Sequence, residues 1–157
     1  MTTAEKLVKR LTELGQTCGT AESCTGGGVG SAITSISGSS AVFLGGVISY
    51  DNSVKRDVLG VSPETLATVG AVSAETAAQM ALGARKLLNV DYAVSVTGIA
   101  GPGGGSAEKP VGLVWFGIAT PSGVQTENVI FPGDRTAVRA AAVEHALSLL
   151  LAATKES

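Results

Sequence analysis

The sequence predicts an α/β fold, a single-domain α/β/α sandwich over residues 1–157 with a mixed sheet that includes a C-terminal β-hairpin. Three observations predict it. Apolar residues recur at helical spacing in the first, central and last segments. Short β-branched runs lie between those segments. Two such runs near the C-terminus flank Pro121-Ser122-Gly123, a turn signal that reads as a hairpin. A chain of 157 residues with 45% hydrophobic composition is long enough for one substantial core. With 4% aromatic residues and 21 glycines, that core must pack small side chains closely.

Leu7, Val8, Leu11 and Leu14 fall on one helical stripe before Gly15, so Thr3 to Leu14 is a helix. Thr17 to Ala21 is a short strand, and Glu22-Ser23-Cys24-Thr25-Gly26-Gly27-Gly28 turns from it into a helix through Ile33 and Ile36. Such a turn leaves N–H groups at the helix start for an anion, or lets helix and sheet pack closely. The glycines match neither the dinucleotide fingerprint, whose third position is Ser31, nor a P-loop. Phe43 to Tyr50 is the next strand, and Asn52 or Ser53 caps a short helix ending at Gly60. Ser62-Pro63-Glu64 opens another. Ser73 caps a helix to Leu88 that presents Met80, Leu87 and Leu88 to the core. Asp91 to Thr97 is a buried strand, and the glycine-rich loop from Gly98 to Pro110 is longer than ordinary connections, as a ligand-lining loop or a mobile surface loop would be. Val111–Ala119 and Val124–Phe131 form the hairpin, and Asp134 caps the last helix, with Arg135 at its entrance able to reach a phosphate or carboxylate.

The net charge is −2 and the 11 basic residues are scattered, so no nucleic-acid footprint is present. Met1 to Lys9 lacks the apolar core of a signal peptide. The apolar stretch Ala140 to Ala153, broken by Glu144, His145 and Ser148, is too short to span a bilayer. Cys18 and Cys24 fit no zinc spacing and read as reduced thiols. A soluble, cytoplasmic protein with no membrane or nucleic-acid partner is expected. His145 is the only histidine and sits among alanines and leucines, so no transition-metal site and no cofactor are expected.

Chemistry concentrates between Gly38 and Gly60, where Ser39 and Ser40, Tyr50 and Lys55 surround one apolar run. A serine hydroxyl needs a base, and a desolvated lysine amine can lose its proton and serve, with a phenol to relay or orient. Serine–lysine pairs are a variant of the serine–histidine arrangement. A turn, a strand and a solvated lysine account for the same spacing.

Ala21-Glu22-Ser23-Cys24-Thr25-Gly26-Gly27, Gly38-Ser39-Ser40, Gly98-Ile99-Ala100-Gly101-Pro102, Lys109-Pro110-Val111-Gly112 and Phe131-Pro132-Gly133-Asp134-Arg135, taken in order, closely resemble the CinA C-terminal domain family from about Ala4 to Leu150. The resemblance implies an α/β/α homo-oligomer, a dimer, that hydrolyses the carboxamide of nicotinamide mononucleotide to nicotinate mononucleotide and ammonia. It implies Ser40 as nucleophile, with Tyr50 and Lys55 assisting. The expected substrate-binding residues are Ser23, Thr25, Gly26 and Gly27 at the helix start, Thr97, Gly98 and Gly101 in the loop region, Lys109 and Arg135. Three rivals stand beside this reading: an amidase using Cys24 beside Glu22, a tyrosine- and lysine-dependent oxidoreductase, and a ligand-sensing or partner-binding module without turnover.

Overall fold

The structure is a computed structural model that describes residues 1–155. Five strands form one sheet in the order β2-β1-β3-β4-β5. They are β1 (Cys18–Glu22), β2 (Phe43–Ile48), β3 (Tyr92–Gly98), β4 (Leu113–Thr120) and β5 (Gly123–Ile130). β1 runs parallel to both β2 and β3, whereas β3–β4 and β4–β5 are antiparallel, which makes the sheet mixed as expected. The helices are α1 (Thr3–Leu14), α2 (Gly28–Thr34), α3 (Asn52–Asp57), α4 (Pro63–Thr68), α5 (Ala74–Leu88) and α6 (Arg135–Lys155), with a 3-10 turn at Ser39–Ala41.

Alternation along the strands sends side chains to two helical layers. Tyr92, Val94 and Val96 of β3 join Val114 and Phe116 of β4 under α1, α2 and α6, where Leu7, Leu11, Val29, Ile33, Val138, Ala142 and Leu150 are buried. Ala21, Ala93 and Ala119 face the other way, toward Met80, Ala81 and Ala84 of α5 and toward Leu59 and Val61. Small residues set the spacing of that second layer. A Cβ on Gly83 would lie 1.9 Å from the Leu59 carbonyl oxygen, so α5 meets the α3–α4 link at that distance only because position 83 has no side chain.

Local chemistry fixes the ends of the elements. Gly15 closes α1 in the left-handed region at φ 65°, where a Cβ is disfavoured. Ser73 caps α5 by accepting from the Thr76 N–H, and Asp134 accepts from the Ala137 N–H at the start of α6. α3 differs at both ends: its cap is Asp51, whose carboxylate accepts from the Ser53 N–H, rather than Asn52 or Ser53, and it ends at Asp57 rather than Gly60. Leu87, expected in the core, is 54% exposed, because α5 turns Met80, Ala81 and Ala84 inward and leaves Leu87 on the outer face. α6 runs for 21 residues, long and apolar enough by itself to cross a membrane and longer than the Ala140–Ala153 segment read from the sequence. In this fold it lies across the sheet with Val138, Ala142, Ala146 and Leu150 buried.

β1 pairs with β2 through Glu22↔Ile48 and with β3 through Glu22↔Val96. The three parallel strands therefore end at one edge of the sheet. Segments that leave their C-terminal ends converge there, the usual place for a ligand in an open α/β sheet.

Candidate active site

Ser23 follows β1 directly, and Ser49 and Tyr50 follow β2. One turn into α3, Lys55 points back under this edge. It is 1% exposed, an unusual degree of burial for a lysine. Its Nζ donates to the Ser23 Oγ at 3.1 Å, to the Ser49 carbonyl at 2.8 Å and to the Tyr50 carbonyl at 3.0 Å. Three N–H groups meet three acceptors. Desolvation lowers the Lys55 pKa below the ordinary lysine range, and Asp51 and Cys24 oppose that shift less strongly.

The arrangement also orients the amine once it is neutral. Neutral Nζ keeps two N–H bonds and one lone pair. The two carbonyls can only accept, so they retain the N–H bonds, and the lone pair falls to the one partner able to donate, the Ser23 hydroxyl. Ser23 and Lys55 thereby form a hydroxyl–amine pair suited to nucleophilic attack.

The pair opens into a cavity of about 210 Å³. Cys24, Tyr50, Asn52 and Arg135 line it together with Ala71, Val72, Thr97, Gly98 and Ala100. Tyr50 is 62% exposed at the mouth, and Arg135 of α6 reaches its hydroxyl at 3.4 Å while donating to the Gly101 carbonyl at 2.9 Å. Thr97 is buried and ties its hydroxyl to the Ala71 carbonyl at 2.8 Å, which holds the 70–73 segment against the end of β3. A larger cavity of about 410 Å³ lies between the tip of the β4–β5 hairpin and the end of α6. Its lining includes Tyr92, whose hydroxyl donates to Gln16 at 2.7 Å, and Glu127, which pairs with His145 at 2.7 Å.

The expected residues divide accordingly. Ser23, Tyr50, Lys55, Thr97, Gly98 and Arg135 come together around the smaller cavity. Ser40 does not join them: it is exposed on the 3-10 turn before β2, and the hydroxyl on Lys55 belongs to Ser23. Lys109 lies outside the lining and donates to the Val69 carbonyl at 2.6 Å, fastening the glycine-rich loop to the end of α4. Gly101 contributes its carbonyl to Arg135. Thr25, Gly26 and Gly27 shape the turn without lining the cavity. The N–H groups expected to await an anion are already engaged, since Val29 and Gly30 at the start of α2 donate to the buried Glu22 carboxylate at 2.8 and 3.0 Å.

Sequence reasoning missed Arg139 altogether. It lies one turn after Arg135 and donates to the Cys24 and Thr25 carbonyls at 3.0 and 3.3 Å, bracing the turn from outside. The i, i+4 spacing of Arg135 and Arg139 was the available signal.

Cys24 is a poor nucleophile in this setting. Burial pushes its thiol up to about 11, so it is protonated at neutral pH. Cys24→Ser is expected to keep ammonia release within about threefold of the unsubstituted protein, a change of the size that follows from a small shift in packing. Loss of more than a hundredfold, with inactivation by a thiol-directed reagent, would restore the cysteine-amidase reading.

No group of three or more His, Cys, Asp or Glu side chains able to hold a metal occurs among the described residues. His145, in place of any ligand role, pairs with Glu127 at 2.7 Å and packs against Phe116 and Phe131.

The fold and this cavity define an α/β protein with a lysine-supported serine at the C-terminal ends of its parallel strands. The chain belongs to the CinA C-terminal domain family, whose model matches residues 1–154. It is 51% identical over 151 residues to the nicotinamide-nucleotide amidohydrolase PncC of Escherichia coli K12, covering 96% of this chain and 92% of that protein. A CinA-like protein of a Cyanothece species is 59% identical over 122 residues, which are 78% of this chain and 29% of that protein. The chain thus spans about a third of the CinA-like relatives, 37% in the case of Leptospira borgpetersenii. Among solved structures, the competence/damage inducible protein CihA of Agrobacterium tumefaciens superposes with a TM-score of 0.91 at 49% identity, covering 97% of this chain and 96% of that one. A CinA superfamily protein of Klebsiella pneumoniae superposes at 0.95 with 34% identity, covering 99% and 97%.

Proposed function

We propose that the protein hydrolyses the carboxamide of nicotinamide mononucleotide, releasing ammonia and nicotinate mononucleotide, with Ser23 as nucleophile and Lys55 as the base. The observation that carries the reading is the 3.1 Å contact between the Lys55 Nζ and the Ser23 Oγ inside a cavity that also holds Tyr50 and Arg135. The near full-length similarity to a nicotinamide-nucleotide amidohydrolase supports the choice of substrate.

In the acylation step the Ser23 hydroxyl loses its proton to neutral Lys55 as Oγ bonds to the carboxamide carbon. The carbonyl electrons move to oxygen. Cys24 follows the nucleophile directly and lines the cavity, and among the described residues no carbonyl accepts from its N–H, which makes that group the first choice of oxyanion donor. The Lys55 ammonium then returns the proton to the departing nitrogen. Ammonia leaves, and an ester to Ser23 remains. Water attacks that ester, Lys55 takes its proton and passes it to Oγ, and the carboxylate product forms with Ser23 restored.

Arg135 and the Tyr50 hydroxyl stand at the mouth, where a guanidinium with a neighbouring phenol can hold the substrate phosphate. The carboxamide end then points inward to Ser23. The assay is ammonia release from nicotinamide mononucleotide with no metal added, beside the same pyridine amide lacking the phosphate. Turnover that falls at least tenfold without the phosphate is expected for a charge-assisted contact at the mouth. A folded protein that binds the mononucleotide but releases no ammonia would favour the sensing module instead.

A further inference from the structure

The Glu22 side chain is 2% exposed and meets no cation within ion-pair distance among the described residues. Four donors surround it instead. Oε1 accepts from the Thr25 hydroxyl at 2.7 Å and the Val29 N–H at 2.8 Å, and Oε2 accepts from the Gly30 N–H at 3.0 Å and the Thr20 hydroxyl at 3.3 Å. These bonds tie the end of β1, across the Ser23–Gly27 turn, to the first residues of α2. Thus the chain is held on both sides of Ser23. The Ser23 backbone is fixed as well, its N–H donating to the Val96 carbonyl at 2.9 Å and its carbonyl accepting from the Gly26 N–H at 3.1 Å.

The same residue is linked to the base. The Glu22 carbonyl accepts from the Ser49 N–H at 2.7 Å, and the Ser49 carbonyl accepts from the Lys55 Nζ at 2.8 Å. A closed path therefore runs from Glu22 through Ser49 and Lys55 to the Ser23 hydroxyl and back along one peptide bond. Displacing the Glu22 end moves nucleophile and base relative to each other.

We propose that Glu22 is a positioning residue for amide hydrolysis, its carboxylate occupying the start of α2 so that the Ser23 hydroxyl is held on the Lys55 amine. The proposal rests on the assignment of Ser23 as nucleophile. Glu22 touches neither substrate nor the reacting atoms and acts through Ser23. A misplacement of about 1 Å at a reacting group can lower turnover about a hundredfold, so a brace of this kind is open to kinetic measurement.

Glu22→Gln is the informative change, because each carboxylate oxygen accepts from a backbone N–H that cannot rotate away. Either orientation of the glutamine sets its NH2 against one of those donors. Three quantities are read for Glu22→Gln: kcat and KM for ammonia release, and the rate at which a fluorophosphonate probe labels Ser23. A drop in kcat of about 10- to 100-fold is expected, with KM within about twofold and probe labelling slowed in parallel. Thr25→Val, which removes one donor and leaves the carboxylate, is expected to lower kcat severalfold in the same pattern. It decides the matter if Glu22→Gln does not fold. Ser23→Ala is measured alongside. If Ser23→Ala is inactive while kcat and labelling are unchanged in folded Glu22→Gln, or in Thr25→Val, the role of Glu22 is overturned, and a raised KM with normal kcat overturns it equally. Turnover surviving in Ser23→Ala would instead remove the nucleophile assignment on which the proposal stands.

Discussion

Ser23→Ala is expected to lower the turnover of nicotinamide mononucleotide by about ten-thousand-fold, whereas Ser40→Ala stays within about twofold. The contrast follows from where the two hydroxyls stand. Ser23 is 8% exposed at the end of β1 with its Oγ on the Lys55 amine. Ser40 is exposed on a 3-10 turn and does not line the cavity. Removing the Ser23 hydroxyl leaves one Lys55 hydrogen-bonding position without a partner, a cost of about 1–3 kcal/mol that a fold of this size tolerates. The variant should therefore remain folded, with its near-native circular dichroism confirming that activity and not structure was lost. The reverse outcome, an inactive Ser40→Ala and an active Ser23→Ala, would return the nucleophile to the GSS segment.

The second large effect is expected at Lys55. Lys55→Met fills a similar volume without an amine and should lower kcat about a thousandfold, since among the described residues Lys55 is the base that meets the Ser23 hydroxyl. Lys55→Arg should fail as well, because a guanidinium stays protonated and its planar fork does not fit a space shaped for one ammonium. The pH dependence gives a separate signature. Burial lowers the Lys55 pKa, so the unprotonated form is reached below the ordinary lysine range, and kcat/KM of the unsubstituted protein should rise along an acid limb within that lowered range. Stability moves the same way. Between the lowered folded value and the ordinary lysine value the unfolded chain binds more protons than the folded one, so stability increases as pH rises through that window. Lys55→Met should lose both the kinetic limb and that rise. Thermal melts and ammonia release measured from neutral to alkaline pH test the two together, and an unshifted limb in Lys55→Met would assign the titration to another group.

Element order was legible because each segment carries its own signals: periodicity in α1, Ser73 and Asp134 as caps, the Pro121-Ser122-Gly123 turn in the hairpin. Lys55, Tyr50 and Arg135 were legible as chemistry for a similar reason, each standing beside an apolar run or a helix start. Ser40 was paired with Lys55 because proximity in sequence stood in for proximity in space, whereas the hydroxyl that meets the amine is that of Ser23. Ser40 lies closer to Lys55 along the chain, yet the parallel pairing of β1 with β2 through Glu22↔Ile48 carries Ser23 to it from the other side of a crossover. The Gly26–Gly27 helix start misled for a different reason. A glycine-rich turn reveals that donors are available and not what fills them, and here a side chain from the strand itself does so.

Either side of its exposed span, Pro102 to Glu108, the glycine-rich loop is fastened by the Gly101 carbonyl to Arg135 and by the Lys109 amine to the Val69 carbonyl. A chain pinned at both ends has already lost most of its closure entropy before any ligand arrives. A ligand's binding free energy is then left for its own orientation and not for ordering a floppy strap. Within the exposed span, Gly103 tolerates a side chain, since a Cβ there meets nothing within 4 Å, while Gly104 at φ 88° and Gly105, whose Cβ would lie 2.8 Å from the Val111 nitrogen, do not.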